Sequence, residues 1–298
     1  MAPEKVTIVT RDPVVAPIGD MHLLLDGVHQ MIEWVGMHRP ECLPGEAENP
    51  KPWLDVDWAS LFPHDLKEGA RPLTSNELLV ELAGRKCYDS FGLKAGKKSN
   101  AEYIANTQAG DVPHASILYH AKMSFFIAGV SRRVSHELIR NYVGADRDEE
   151  GSPSQESTRF THHYGWYIAH PGILAPHLQD NDTIQMELAI FRGAMQENYN
   201  AYLGYIKRCF GDYALKHGLG SMPKGMDRKR IYESASPYLS HACETSFIWT
   251  TNPMALAKLF RERDADGADL EFRRLARVWK KVCLERWPNL FPQKHMRE

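Results

Sequence analysis

The chain has 298 residues, a formal net charge of −2 at pH 7, and 43% hydrophobic and 25% charged residues, which is the composition of a globular protein with one large or two small domains. This near-neutral charge provides no global attraction to nucleic acid, so no nucleic-acid partner is expected. The longest apolar stretches, such as residues 125–130, are far shorter than the roughly 20 residues that span a bilayer. Residues 1–18 lack a continuous signal-peptide core. We therefore expect a cytoplasmic protein with no membrane partner.

The first part of the chain, residues 1–72, is rich in proline and is predicted to be irregular. The exception is a helix around residues 22–37, where apolar side chains recur at helical spacing. We interpret residues 1–72 as an N-terminal extension of unknown role and residues 73–298 as the domain that follows it.

The domain is predicted to open with two helices, each of which begins at a capping-box pattern. Thr74 with Glu77 starts a helix that continues to about residue 87. Ser99 with Glu102 starts a second helix that continues to about residue 108.

A strand and a helix are predicted next. Residues 121–129 indicate a strand, because Met123, Phe125 and Ile127 alternate with smaller or exposed positions. Residues 130–142 indicate a helix with two stripes. Its apolar stripe consists of Val130, Val134 and Leu138. Its polar stripe consists of Arg133, His136 or Glu137, and Arg140.

The remaining elements follow an acidic loop at residues 144–151. We predict a strand at residues 164–168 and an amphipathic helix at 182–210, with further helices around 228–236, 253–263 and 268–286. The five cysteines include no CxxC pair and are odd in number. Neither a disulfide framework nor a zinc ribbon is therefore expected.

The chemistry is concentrated in one stretch, Gly129-Val-Ser-Arg-Arg-Val-Ser-His-Glu-Leu-Ile-Arg140 followed by Ser152-Pro-Ser-Gln-Glu-Ser-Thr-Arg-Phe160. It resembles the signature of flavin-dependent thymidylate synthases, in which a helix of the type GVSRxxxHQLxRHR leads into a loop of the type SxSQxSxRY. Arg140 matches the first arginine of the RHR triplet, and the second half matches at Ser152, Ser154, Gln155, Ser157 and Arg159.

Three further elements occur in the order expected for that family. His114-Ala-Ser-Ile-Leu-Tyr-His120 resembles its HxSxxEH element. Trp249-Thr-Thr-Asn252 resembles WTxN, and the segment from Arg263 to Glu271 resembles RxxxxAQxE. The resemblance covers about residues 74–288, and it places Arg263 where the arginine that grips the uracil ring is expected.

The resemblance implies an α/β fold with a twisted sheet and flanking helices, assembled as a homotetramer. It implies FAD-dependent reductive methylation of C5 of a uridine monophosphate, dUMP or UMP, with methylene-tetrahydrofolate as one-carbon donor, NADPH as reductant and no catalytic cysteine. The implied substrate-binding residues are His136, Glu137, Arg140, Gln155, Glu156, Ser157, Thr158, Arg159 and Arg263, the last also catalytic. The implied cofactor-binding residues are His114, Ser116, Arg140, Asn141, Tyr142 and Asn252.

The residue types suit this chemistry. A nucleotide phosphate requires bidentate cations and hydroxyl donors, which Arg159, Ser157 and Arg140 can provide. A uracil ring that accepts hydride at C6 develops negative charge on its carbonyl groups, and a cation such as Arg263 stabilises that charge.

Several positions depart from the family pattern. The RHR triplet reads Arg140-Asn141-Tyr142, Glu137 replaces a glutamine, and Ser236 stands where an arginine near the phosphate is expected. The signature halves are also separated by an insertion, residues 145–151. These departures indicate either a specialised enzyme, like the UMP/dUMP methylase of polyoxin biosynthesis, or a catalytically silent homologue that binds flavin or nucleotide.

Structural alternatives stay open for several of these residues. Glu137 could select a substrate hydroxyl or pair with Arg133. Asn252 could be a helix N-cap, and His114 with Ser116 could form a helix start. The adjacent pair His162-His163 has no carboxylate at ligand spacing, so no metal site is expected.

Overall fold

The structure is a computed structural model that describes residues 5–38, 45–46, 49–50, 71–88, 90, 98–108, 114–142, 151–174 and 181–291. Its strands are β1 (Thr7–Val9), β2 (Val14–Asp20), β3 (Gly45–Glu46), β4 (Asn49–Pro50), β5 (Met123–Ser131), β6 (Ser152–Gln155), β7 (Trp166–Ile168) and β8 (Glu244–Thr251). Its α-helices are α1 (Leu25–His38), α2 (Ser75–Cys87), α3 (Asn100–Thr107), α4 (Arg132–Tyr142), α5 (Asn181–His217), α6 (Gly225–Ala235), α7 (Pro253–Arg263) and α8 (Leu270–Arg286).

The main sheet has four antiparallel strands in the order β2-β5-β8-β6. A separate parallel pair joins β1 to β7. The expectation of a mixed fold of sheet and flanking helices is therefore confirmed, with antiparallel strands in the main sheet. None of the described helices combines the length and the apolar composition that a membrane span requires.

The alternating pattern of the strands decides which face of the sheet is buried. Phe125 and Ile127 of β5 and Phe247 and Trp249 of β8 pack into the core, where α8 contributes Trp279. The opposite face carries smaller or exposed residues. On that face one row crosses all four strands, from Ala16 through Phe126 and Ile248 to Ser154.

The N-terminal part of the chain differs from the sequence prediction. The expected irregular structure is wrong for residues 7–9 and 14–20, because β1 pairs with β7 and β2 pairs with β5. Asp20, at the end of β2, accepts hydrogen bonds from Asn76 and from Trp287 Nε1, the latter at 3.0 Å. Strand pairing and these contacts attach this segment to the domain that follows it.

Both capping boxes form as predicted, at Thr74–Glu77 and at Ser99–Glu102. A buried polar network then joins the two helices. Arg85 forms a 2.5 Å ion pair with Glu81 on α2, and Asn100 of α3 donates to Glu81 Oε2 at 2.8 Å. Buried charges need partners of this kind, and the network thereby sets how α3 packs on α2.

Strand β5 runs directly into α4. Val130 belongs to the strand and not, as predicted, to the helix. The register of β5 against β8 shifts between Ile127 and Val130, where Gly129 has φ +74°. This left-handed conformation favours glycine. The Gly129 N–H donates to Glu244 Oε1 at 2.8 Å, and the bulge directs the chain from the sheet into the helix.

The four later helices form as predicted, and all but α7 have shifted ends. The long helix α5 extends seven residues beyond the predicted end at residue 210, and helix α7 has the predicted bounds. The apolar side chains that recur at helical spacing along α5 are buried in its middle, at Met195, Tyr202 and Ile206. Nearer its N-terminus, at Ile184, Leu188 and Phe191, they are half-buried.

Candidate active site

Ser131 anchors the helix that bears the first half of the signature. Its hydroxyl accepts from the backbone N–H of Val134 at 3.3 Å and donates to Glu271 Oε2 at 2.9 Å. Its own backbone N–H donates to Glu271 Oε1 at 2.8 Å. Ser131 therefore caps α4 and joins it to α8. Val134 and Leu138 bury the apolar stripe of the helix as predicted.

Arg133 links the same two helices through charge. It forms two hydrogen bonds to Asp269, at 2.6 and 2.9 Å, and one to Glu271 at 3.1 Å. The hydrogen bond with Asp269 is the main reason that the pKa of Arg133 is raised. Burial opposes ionisation of Asp269, but hydrogen bonds from His170, Arg133 and the Phe272 backbone outweigh burial and hold its pKa well below the usual range.

Glu137 contacts the predicted catalytic arginine. Its Oε1 lies 2.7 Å from Arg263 Nη1, and both side chains are mostly buried. The Arg263 guanidinium carbon also lies 5.0 Å from the centre of the Phe272 ring. Its Nε is buried and has no hydrogen-bond partner among the described residues. The structure thus brings two of the predicted site residues into direct contact, from α4 and α7.

The second half of the signature is joined to α4 by two contacts. Gln155, the last residue of β6, donates to Ser135 Oγ at 2.7 Å and to Thr245 Oγ1 at 3.1 Å. Arg132 Nη2 donates to the carbonyl oxygen of Glu156 at 2.6 Å. These hydrogen bonds fix the end of β6 beside the start of α4. The Glu156 side chain is exposed.

A turn at residues 157–161 follows β6. The Ser157 carbonyl accepts from the N–H groups of Phe160 and Thr161, at 3.1 and 2.9 Å, and its hydroxyl accepts from the Arg159 N–H at 3.3 Å. Ser157 and Thr158 are half-buried, whereas Arg159 is exposed. The turn therefore leaves the Arg159 side chain at the surface.

Helix α6 lies beside this turn. Arg159 Nη2 is 3.1 Å from Glu233 Oε1, and Lys229 Nζ is 3.6 Å from Glu233 Oε2. Lys229 Nζ also lies 5.6 Å from the centre of the Phe160 ring. Two cations therefore converge on one carboxylate next to the predicted phosphate-binding residues.

Two further predicted site residues of α4 lie at the surface. His136 and Arg140 are exposed, and the His136 ring lies 6.4 Å from that of His241. The backbone of Asn141 and Tyr142 completes the helix. Their side chains, and residues 145–150 of the predicted insertion, lie outside the described residues.

The HxSxxEH-like element forms a 3₁₀ helix, Ala115–His120. His114 precedes it without capping it through a side chain, and Ser116 is exposed. His114 Nε2 lies 3.3 Å from the hydroxyl of Tyr88, at the end of α2. The two predicted cofactor-binding residues of this element, His114 and Ser116, therefore lie at the surface.

Asn252 has a structural role. It is the N-cap of α7, where its Oδ1 accepts from the Ala255 N–H at 2.9 Å, and the residue is fully buried. The capping alternative is therefore the one that the structure shows. Its role as a predicted cofactor-binding residue stays a prediction, and the side chain has no exposed surface in the described structure.

His162 and His163 pack into an aromatic cluster. The His163 ring lies 5.2 Å from Tyr167, and its Nδ1 accepts from the Gly165 N–H at 3.1 Å. Burial lowers the pKa of His163 to about 4. No group of metal-binding side chains is found among the described residues.

Sequence reasoning missed several residues of this region. Asp269 pairs with Arg133, Glu233 pairs with Arg159, and Lys229 lies over the Phe160 ring. The sequence signals for two of them were the Arg263–Glu271 segment, which contains Asp269, and the basic residues 228–230, which include Lys229. A cavity of about 1200 Å³ lies between β1 and α5, and none of the predicted site residues lines it.

Comparison with known proteins finds one family over most of the chain. The family model described as thymidylate synthase complementing protein matches residues 72–289. The flavin-dependent thymidylate synthase of Mycobacterium avium is 33% identical over 216 residues, which are 72% of this chain and 76% of that protein. The protein of the same name from Mycolicibacterium vanbaalenii is 33% identical over 240 residues, or 80% of this chain and 82% of that protein.

Proposed function

The chain belongs to the thymidylate synthase complementing protein family and is a methyltransferase, and from this premise we propose that it methylates C5 of a uridine monophosphate. The family and its similar members support a flavin-dependent methylation of dUMP with FAD and folate. Our proposal adds methylene-tetrahydrofolate as the one-carbon donor, NADPH as the reductant and UMP as a second substrate. The cytoplasmic location expected from composition stays a prediction.

The observation that best supports the proposal is the Arg263 guanidinium at the end of α7. It is held between Glu137 and the Phe272 ring and keeps a buried Nε without a partner among the described residues. Reduction of a uracil ring at C6 places negative charge on its carbonyl oxygens. A fixed cation in a partly buried site stabilises that charge more than water does, because its orientation costs nothing during the reaction.

The phosphate is proposed to bind at the turn after β6. Arg159 and Lys229 both reach Glu233 there, and Ser157 offers a hydroxyl group. A phosphate dianion accepts stronger hydrogen bonds than a neutral group does, and arginine binds it through two parallel bonds. The substrate phosphate would therefore compete with Glu233 for Arg159.

The described surface fits FAD in part. A flavin ring needs hydrogen-bonding partners, and its pyrophosphate needs cations. His114, Ser116 and Arg140 are exposed and can serve these needs, whereas Asn252 is a buried helix cap. When bound, the flavin supplies the reducing electrons. The residues of this chain bind, orient and shield the reactants.

A cysteine nucleophile is not needed for this reaction. Burial raises the pKa of Cys243 to about 11 and also raises that of Cys283. Both thiols are therefore protonated at neutral pH, and a protonated thiol is a poor nucleophile.

The pocket is proposed to accept UMP as well as dUMP. Ser236 replaces an expected arginine, and the insertion at residues 145–151 changes the connection between the signature halves. Either change could make room for a 2′-hydroxyl group. Competition between labelled dUMP and UMP in one reaction tests this, and product from dUMP alone, with UMP neither bound nor turned over, would reject it.

A homotetramer is also proposed, on the basis of the resemblance and of one exposed face of the sheet. Phe126 and Ile248 lie opposite each other in adjacent strands and are 38% and 42% exposed. Such a face is commonly covered by another subunit. Light scattering on the purified protein measures the assembly directly, and a monomer at micromolar concentration would contradict the proposal.

The second candidate is a catalytically silent homologue, favoured by Asn141 and Tyr142 in place of basic residues. An absorbance spectrum combined with a methylation assay separates the two candidates. The enzyme binds FAD, is bleached by NADPH and forms methylated nucleotide. The silent homologue binds flavin or nucleotide but forms no methylated product at any folate concentration.

A further inference from the structure

The Arg263 side chain has only two described restraints on its guanidinium. One is the 2.7 Å ion pair with Glu137, and the other is the Phe272 ring, whose centre lies 5.0 Å from the guanidinium carbon. The ring is fully buried and so is a fixed surface. A cation over an aromatic face can still rotate in the plane of that face, because the attraction depends little on that rotation.

The ion pair with Glu137 removes this freedom. It holds Nη1 at one point, so that the directions of the other N–H groups are set as well. Arginine otherwise has many rotamers, and ordering them during the reaction would reduce the rate. One carboxylate therefore decides where the rest of the guanidinium points.

Glu137 is itself held in a fixed position. One helical turn earlier, Arg133 binds Asp269 and Glu271 at the start of α8, and Ser131 binds Glu271 as well. Helix α4 is thus fixed against the segment that contains both Arg263 and Phe272. The charges alternate along this contact, with a cation of α4 facing two anions and then an anion of α4 facing a cation.

We propose that Glu137 is a positioning residue that orients Arg263 toward the pyrimidine, and this inference rests on the proposed function. It differs from a direct role of Glu137 on the ribose hydroxyl, because Glu137 then acts only through Arg263. A glutamine at this position would still accept one hydrogen bond from Arg263. It would do so without the negative charge, so the Coulombic attraction between the two ions would be lost.

A double-mutant cycle tests the inference with the full-length enzyme. The variants are Glu137→Ala, Arg263→Ala and the double variant, with Glu197→Ala on the exposed face of α5 as control. Melting temperature and FAD content are measured for each. If Arg263→Ala lowers the melting temperature, Arg263→Lys takes its place in the cycle, because lysine keeps the charge and loses the planar group.

We expect Glu137→Ala to lower kcat/KM about tenfold and Arg263→Ala about a hundredfold, with the double variant no worse than Arg263→Ala. The loss in Glu137→Ala should be mainly in kcat, and Glu137→Gln should recover part of it. Multiplied losses, about a thousandfold in the double variant, would show that Glu137 acts independently and would overturn the inference. A Glu137→Ala variant with the parental kcat would also overturn it.

Binding measurements separate this inference from the proposed function. The same proteins are titrated with dUMP by calorimetry, which requires no turnover. Positioning is supported if Arg263→Ala and the double variant bind dUMP equally weakly and Glu137→Ala weakens binding less. This holds even if the parent forms no methylated product. Independent, multiplied effects on the dissociation constant would overturn positioning even if the parent methylates dUMP.

Discussion

Arg133 of α4 and Asp269, the N-cap of α8, form a two-point ion pair, with Nη1 to Oδ2 at 2.6 Å and Nη2 to Oδ1 at 2.9 Å. Planar guanidinium and carboxylate groups match in this geometry. The same carboxylate accepts from the backbone N–H groups of Glu271 and Phe272. One contact therefore both caps α8 and holds it against the helix that carries the signature.

Replacing Arg133 by alanine should destabilise the fold. The change leaves Asp269 and the mostly buried Glu271 without their shared cation. We expect a loss of about 1–2 kcal/mol in the free energy of unfolding, because solvent screens the partly exposed pair. Urea unfolding measures it. The control is Arg277→Ala, because the Arg277 side chain is 59% exposed in its pair with Asp264. A parental urea midpoint for Arg133→Ala would contradict the stabilising role assigned to Arg133.

Replacing Arg263 by alanine should lower turnover on the order of a hundredfold and leave FAD affinity nearly unchanged. The reason is that the guanidinium is proposed to stabilise charge that develops on the pyrimidine. Steady-state kinetics and a flavin titration measure the two effects. Arg261→Ala, an exposed change on the same helix, is the matched control. Equal loss of flavin binding and turnover would assign Arg263 to cofactor binding.

Gly151 should not tolerate a side chain. A Cβ atom there would lie 2.0 Å from Cζ2 of the buried Trp249 ring. We expect Gly151→Ala to cost about 1–3 kcal/mol of stability and to weaken nucleotide binding, because β6 leads to the turn containing Arg159.

The control for this change is Gly211→Ala, within α5, where a Cβ would meet no atom within 4 Å. That substitution should stabilise the helix by up to about 1 kcal/mol. Thermal melting and a dUMP titration compare the two variants. A parental melting temperature for Gly151→Ala would mean that Trp249 can move aside.

His163 should make the fold less stable at mildly acidic pH. Burial is the main cause that lowers its folded pKa to about 4, and the nearby Arg132 and His162 add to it. In the unfolded chain the imidazole binds a proton near pH 6.5. The stability contributed by neutral, buried His163 is therefore fully present above that pH and is lost as the pH falls toward 4. Between pH 7.5 and 5 we expect a loss of about 2 kcal/mol from this group.

The His163→Asn variant tests the assignment. Asparagine can accept from the Gly165 N–H but does not titrate. The difference in unfolding free energy between pH 7.5 and 5 should shrink by about 2 kcal/mol in the variant. An unchanged pH dependence would show that other groups dominate it.

Cysteine replacement should leave the chemistry intact. Cys87→Ser, Cys209→Ser, Cys243→Ala and Cys283→Ala are expected to keep kcat within about twofold per folded enzyme, because the thiols have no part in the proposed reaction. The two buried positions will lose some stability. Abolished methylation in a folded, FAD-loaded single variant would restore a cysteine mechanism.

Local interactions made much of the fold predictable from sequence. Capping boxes at Thr74 and Ser99 join residues three apart, and helix α7 begins at Pro253 after the cap Asn252. Such contacts form within one turn of chain, so their residues are neighbours in the sequence. The family was equally visible, because the order and spacing of its motifs are properties of the sequence.

Tertiary structure decided the partners of the polar side chains. Glu137 reaches Arg263, and Arg133 reaches Asp269, only because α4, α7 and α8 pack around the same core. The pairing of β2 with β5 likewise joins segments far apart in the chain. Contacts of this kind depend on where the whole chain places each element. Hydrophobic periodicity specifies which face of an element is buried, but it does not specify which other element covers that face.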